Sequence, residues 1–143
     1  MDWLEILGEI NYLAVIAGVV SSFVVGMIWY SESMFGKTWM KEVGLKKKEI
    51  EKDKKGMQTA MFHSAVATFM SGSVMAALMY ATDTVGVADG AIFGLVIGLG
   101  IAMASMVPID GFAKRSMLLT RINGSQDVVK YVVIGAIIGG IGF

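Results

Sequence analysis

The chain has 143 residues, 55% of them apolar, with no cysteine, one proline and eighteen glycines. That is one domain's length with too little polar surface for a soluble domain, and the lack of cysteine excludes disulfides, thiolate metal sites and cysteine nucleophiles. Twelve basic residues balance twelve acidic ones, but the two signs are placed very unevenly.

No charge falls between Glu9 and Glu32. About 20 apolar helical residues cross a hydrocarbon core of roughly 30 Å, so a first span is predicted near residues 10–30. Asp2, Glu5 and Glu9 precede it, whereas a signal peptide opens on basic residues. Gly18, Ser22 and Gly26 recur every four residues and share one helix face. Trp29, Tyr30 and Ser31 close the span.

The first loop, 32–58, holds eight lysines. Phe35, Trp39 and Val43 recur every four residues, which predicts a short interfacial helix with Trp39 at headgroup depth. Trp29, Phe35 and Trp39 are the interface-anchoring side chains. The Lys-Glu run after Gly44 reads as a solvated arm attracted to anionic lipid. Glu49, Glu51 and Asp53 interrupt its charge, so nucleic acid is not an expected partner.

A second span is predicted at 59–81, with Ser64, Thr68 and Gly72 on one face. It carries His63, the only histidine. A third span at 88–109 contains Gly94 and Gly98. The second loop, 110–125, contains Lys114, Arg115 and Arg121, and is predicted to form another short interfacial helix, stopped by Asn123-Gly124. A fourth span at 126–143 is expected to start at a Ser125 cap, with Lys130 snorkelling to the interface and Gly135 and Gly139 on one face. The expected fold is an all-α integral membrane protein. It is a single membrane domain over 1–143, a four-transmembrane-helix bundle with short interfacial helices in the two basic loops.

All twelve basic residues fall in those two loops or at the foot of the fourth span. The positive-inside rule then places both loops in the cytoplasm and both termini outside. The small-residue ridges admit two readings: tight packing within one bundle, or self-association, most plausibly through the fourth span.

Polar residues inside a membrane are the default functional candidates. His63, Asp110, Tyr30, Ser31 and Lys130 are expected near one depth, at the basic end. A His63–Asp110 pair would suit a proton or cation relay, since histidine titrates near neutrality. The simpler reading is an interfacial histidine bonded to a helix neighbour, with Asp110 capping or facing water. The twelve methionines read as packing rather than as copper ligands, and no metal or cofactor is expected. With one histidine, no cysteine and no recognisable catalytic motif, an enzyme is not expected.

The segments Asn11-Tyr12-Leu13-Ala14-Val15, Trp29-Tyr30-Ser31 and Phe35-Gly36-Lys37-Thr38-Trp39-Met40 together form a pattern. It resembles the signature of a small bacterial and archaeal membrane family, domain of unknown function 1761. Glu32 stands where that family usually carries a proline. The resemblance implies a four-span protein of a prokaryotic cytoplasmic membrane and supplies no activity. The motif also reads physically as an elbow, with Gly36 permitting the bend. The expected function is a non-enzymatic structural or accessory subunit, packing with itself as a homo-oligomer or with other membrane subunits. The alternative is a small oligomeric channel or transporter for an ion or small solute.

Overall fold

The computed structural model describes residues 2–142, and among these every regular element is helical. Phe143, the predicted end of the fourth span, lies outside the described residues. Three helices are short: α1 (Trp3–Glu9), α3 (Gly36–Val43) and α4 (Lys47–Lys52). Four rods are long and apolar enough to cross a membrane. They are α2 (Tyr12–Trp29), α5 (Lys54–Ala81), the continuous rod Val87–Phe112, and α8 (Met117–Ile141). The third rod joins α6 (Val87–Ile97) and α7 (Ala104–Phe112) through a π-helical stretch, Gly98–Met103.

Local chemistry explains most boundaries. Asn11 caps α2, its side chain accepting from the Leu13 and Ala14 amides. Asp53 caps α5 by accepting from the Gly56 amide, so that helix begins at Lys54. Gly44, at φ +73°, closes α3 in the left-handed conformation that a helix end favours.

The second basic loop corrects the sequence-based expectation. It holds no separate interfacial helix. Residues 110–112 finish α7, and α8 starts at Met117 under a Ser116 cap rather than near Ser125. Asn123-Gly124 does not stop the helix, because tertiary contacts use both residues. A Cβ on Gly124 would stand 2.7 Å from Met103 Cγ, and the Asn123 side chain accepts from Tyr30. The connection shrinks to residues 113–116, turned by Lys114 at φ +53° and closed by Arg115 N donating to Asp110 O at 2.9 Å.

Helix α8 is the axis of the molecule. It packs along α6 and the π stretch on one side and along α2 on another, while α5 leans chiefly on α2. The α6–α8 contact is backbone on backbone. A Cβ on Gly90 would collide with the Gly135 carbonyl, one on Gly94 with the Tyr131 carbonyl, and one on Gly98 would stand 2.8 Å from Val128 Cα. A Cβ on Gly139 would in turn meet the Gly86 carbonyl, and Gly86 N donates to Gly139 O at 2.8 Å. These pairings run in opposite orders along the two helices, so the helices are antiparallel. On α2, Gly18 faces Ile134, and Gly26 lies beside Gln126. Ser22 is buried and donates to Val19 O. Gly72 of α5 meets Val15, and Thr68 is buried one turn away.

The apolar core gathers at the end where the termini lie. It joins Ile6 and Ile10 with Ala14 and Val15, then Met75, Ala76, Ala77 and Met79, then Ile134 and Ile138. Helix α5 is embedded only at this end. Every residue from Lys54 to Ser64 is exposed.

The ridges of the last two rods are thus spent within the chain. Gly135→Leu is expected to destabilise the monomer by about 3 kcal/mol or more. Gly100→Ala, with nothing near its added Cβ, should leave stability unchanged or raise it by up to about 1 kcal/mol. Thermal unfolding in detergent, followed by circular dichroism, checks both.

Candidate functional site: a polar seam on the last helix

The Trp29–Trp39 segment forms an elbow. The Trp29 and Phe35 rings lie 4.7 Å apart, and Tyr30 meets Trp39 edge-on at 5.5 Å. Gly36 N donates to Ser31 O at 2.9 Å, and a Cβ on Gly36 would collide with the Tyr30 carbonyl. No side chain fits there, so this glycine serves close approach rather than an unusual φ. Ser31 is occupied locally, donating to Ile28 O at 2.7 Å and sharing a 2.9 Å bond with Ser33.

The elbow is pinned to α8. Trp29 Nε1 donates to Ile122 O at 3.0 Å, and the Tyr30 hydroxyl donates to Asn123 Oδ1 at 2.9 Å. A third link joins Ser116, the α8 cap, to Glu42 of α3. The two anchoring rings of the motif thus fix one span to another.

Above these pins α8 carries a charged pair. Lys130 Nζ stands 2.5 Å from Asp127 Oδ1, both side chains only 16% exposed, and 4.9 Å from the Tyr131 ring centroid. The Asp127 carboxylate is close enough for its charge to act on the Tyr30 hydroxyl. Gln126 is buried against Gly26. Below the pins, the buried Asp110 accepts from the Thr120 hydroxyl at 2.9 Å, and Arg115 Nη1 lies 3.4 Å away on its solvent side. Two hydrogen-bonding partners are what a buried carboxylate needs in low dielectric.

The five sequence-predicted polar residues therefore do not form one cluster. Tyr30 joins Asn123, Lys130 joins Asp127, and Asp110 joins Thr120 and Arg115. Ser31 stays with its own turn. His63 is exposed, makes no hydrogen bond among the described residues, and has the Phe62 ring 6.0 Å away. No bond or ion pair among the described residues joins it to Asp110. Among the described residues no group of three or more His, Cys, Asp or Glu side chains is placed to hold a metal.

Thr120, Asn123, Gln126 and the Asp127 pairing were missed because this stretch was divided between a short loop helix, a stop at Asn123-Gly124 and a new helix capped by Ser125. The signal was available. Ser116, Thr120, Asn123, Asp127 and Lys130 are spaced four, three, four and three, the period of one helix face.

In the arm, Lys47 Nζ lies 2.5 Å from Glu32 and holds that carboxyl below the usual carboxylate range. Both partners are exposed, so salt screens the pair.

Tyr30→Phe should cost about 1 kcal/mol by deleting the link to Asn123. Thr120→Val, which strips a buried carboxylate of its donor, should cost about 1–3 kcal/mol. His63→Ala should cost less than about 0.5 kcal/mol. Denaturant titration of the three variants in one detergent gives this ranking, and a His63→Ala loss as large as that of Thr120→Val would contradict the geometry.

Residues 13–139 match the model of a family described as protein of unknown function, DUF1761. No curated protein and no solved structure matches the chain. The match spans both the elbow and the polar seam, and the chain belongs to the DUF1761 family.

Proposed function

We propose that this is a multi-pass membrane protein of a prokaryotic cytoplasmic membrane, acting as a non-enzymatic accessory or structural subunit. Its lysine arm lies in the cytoplasm and both termini outside, following the distribution of basic residues. The observation that carries the reading is the bare half of α5. Lys54–Ser64 has no buried residue, while the other rods are locked by glycine contacts and by the pins on α8. Phe62, Val66 and Phe69 are 65%, 42% and 38% exposed, and their spacing puts them on one face. Phe69 stacks on Tyr12 of α2 at 6.1 Å, so the bundle covers this face from there on; its open start at Phe62 suits docking against a second membrane subunit, or against another copy of this chain.

The natural absence of cysteine makes the test clean. Single cysteines at positions 62, 66 and 69 are introduced and cross-linked in native membranes. Adducts are expected at these positions and not at position 99 on the third rod. A chain that stays monomeric in membranes, with no adduct at any α5 position, would remove the reading. A cysteine replacing Lys47 that reacts with an impermeant maleimide from outside intact cells would reverse the orientation.

A second reading is favoured by one observation: the Asp127–Lys130 pair lies within a span, where charge is costly and commonly functional. In that reading the seam carries an ion or proton in a small channel or transporter. Purified protein in liposomes should then show an ion flux that Asp127→Asn lowers at least tenfold. Flux that is absent, or untouched by the substitution, removes it.

A further inference from the structure

The arm between α2 and α5 does more than carry charge. Helix α4 folds against α5, and together with Trp39 of α3 the two helices line a cavity of about 490 Å³. Its lining is mostly apolar: Trp39, Leu45, Ile50, Met57 and Ala60. Two carboxylates, Glu49 and Asp53, also reach it, but both are committed to the backbone. Glu49 accepts from the Lys46 amide at 2.8 Å and Asp53 from the Gly56 amide at 3.0 Å.

The charge around this cavity is uncompensated. Residues 32–55 hold eight lysines against five carboxylates. Of these lysines, only Lys47 is in an ion pair among the described residues, with Glu32. Lys46, Lys48, Lys52, Lys54 and Lys55 flank the lining residues in sequence, and none of them is in an ion pair among the described residues. An apolar hollow whose lining residues are flanked in sequence by lysines outside any ion pair, between the end of α2 and the start of α5, is complementary to an amphiphile with an anionic head. Water alone would leave the apolar lining wet, and a lipid with no net charge would leave the excess positive charge of the lysines uncompensated.

The α5 surface above the cavity extends this logic. Met57, Ala60, Ser64, Ala67 and Ser71 follow one another at three- and four-residue spacing, so they share one face. Met57 and Ala60 line the lower cavity. Ala67 and Ser71 line a second hollow, of about 480 Å³, closed on its far side by Ile97, Ile101 and Tyr131. From residue 57 to residue 71 the helix rises about 21 Å, more than the roughly 15 Å that one leaflet takes of a core about 30 Å thick, so the face is long enough for an acyl chain to lie along it. Small side chains along that face leave room for the chain.

We propose that this face is a specific site for one anionic phospholipid. Its phosphate pairs with the lysines at the α4–α5 junction, and an acyl chain enters the cavity under Trp39 and runs up the small-residue face of α5. The site does not rest on the docking face of the same helix, since Phe62, Val66 and Phe69 point elsewhere around it.

The test is native mass spectrometry of the full chain in mild detergent, titrated with phosphatidylglycerol or with phosphatidylcholine of the same chains. One phosphatidylglycerol should be retained per chain, at least tenfold in preference to phosphatidylcholine. Ala60→Phe, which fills the cavity from an exposed position, should cut retention at least fivefold. Replacing Lys52, Lys54 and Lys55 by glutamine should erase the preference between the two lipids. Ile50→Ser, on the two-turn helix α4, repeats the cavity test should Ala60→Phe shift the thermal midpoint. Equal retention of both lipids overturns the site. So does a loss on lysine replacement with both cavity variants unaffected, which would mean diffuse surface attraction. A dimer that carries no lipid and is dissolved by Ala60→Phe also overturns it, in favour of a second copy.

Discussion

The contact on which the structure depends is the meeting of α6 and α8 with no side chain between them. Lipid is as apolar as leucine, so burying apolar surface gives little drive for two spans to associate. What remains is close packing, which gains dispersion from many atoms at short range. Gly90, Gly94 and Gly135 bring the two backbones close enough that any Cβ would collide with a carbonyl. Gly86 N and Gly139 O then bond directly across the pair. With α8 held this way, its other faces are free to serve as the wall on which α2 and the elbow are mounted.

That arrangement shelters polar chemistry. The stripe from Ser116 to Lys130 would be costly on a helix facing lipid. Against α2 and the elbow it finds Glu42, Tyr30 and the small surface of Gly26. Asp110 finds Thr120 by the same logic at the foot of α8. No buried side-chain nitrogen or oxygen among the described residues lacks a partner. The bundle is rigid and satisfied along α8 and sparse along the first half of α5, and that contrast is why docking and lipid binding are both placed on α5.

The sequence showed four apolar rods and a resemblance to the DUF1761 family; the structure has the four rods, and the family match covers residues 13–139. Small residues at four-residue spacing lie where neighbouring helices come close, Gly94 against Tyr131 and Gly135 against Gly90, because only a bare backbone permits such approach. Their partners were hidden, since spacing along one helix carries no information about which neighbour it meets. The second basic loop went astray for a related reason. Asn123-Gly124 has the local chemistry of a helix stop, and Met103, twenty-one residues from Gly124, and Tyr30, ninety-three from Asn123, override it. The polar seam was obscured by that error: once one helix is stopped at Asn123-Gly124 and another started at Ser125, a period that runs across the break is no longer sought. His63 drew attention by being the sole histidine, yet rarity in composition says nothing about proximity.

The π stretch Gly98–Met103 has a consequence for phase. Gly98 and Asp110 are twelve residues apart, so on an unbroken α-helix at about 100° per residue they would point about 120° away from each other. Both nevertheless meet α8, one at Val128 and the other at Thr120. A π-bulge amounts to one added residue in the turn, which takes back about 100° of that difference. The stretch therefore works as a rotational offset between two halves of one rod. It lets a glycine ridge and a buried carboxylate, out of step in sequence, address the same neighbouring helix. Deleting a single residue there would leave the rod apolar and helical while setting its two ends against each other.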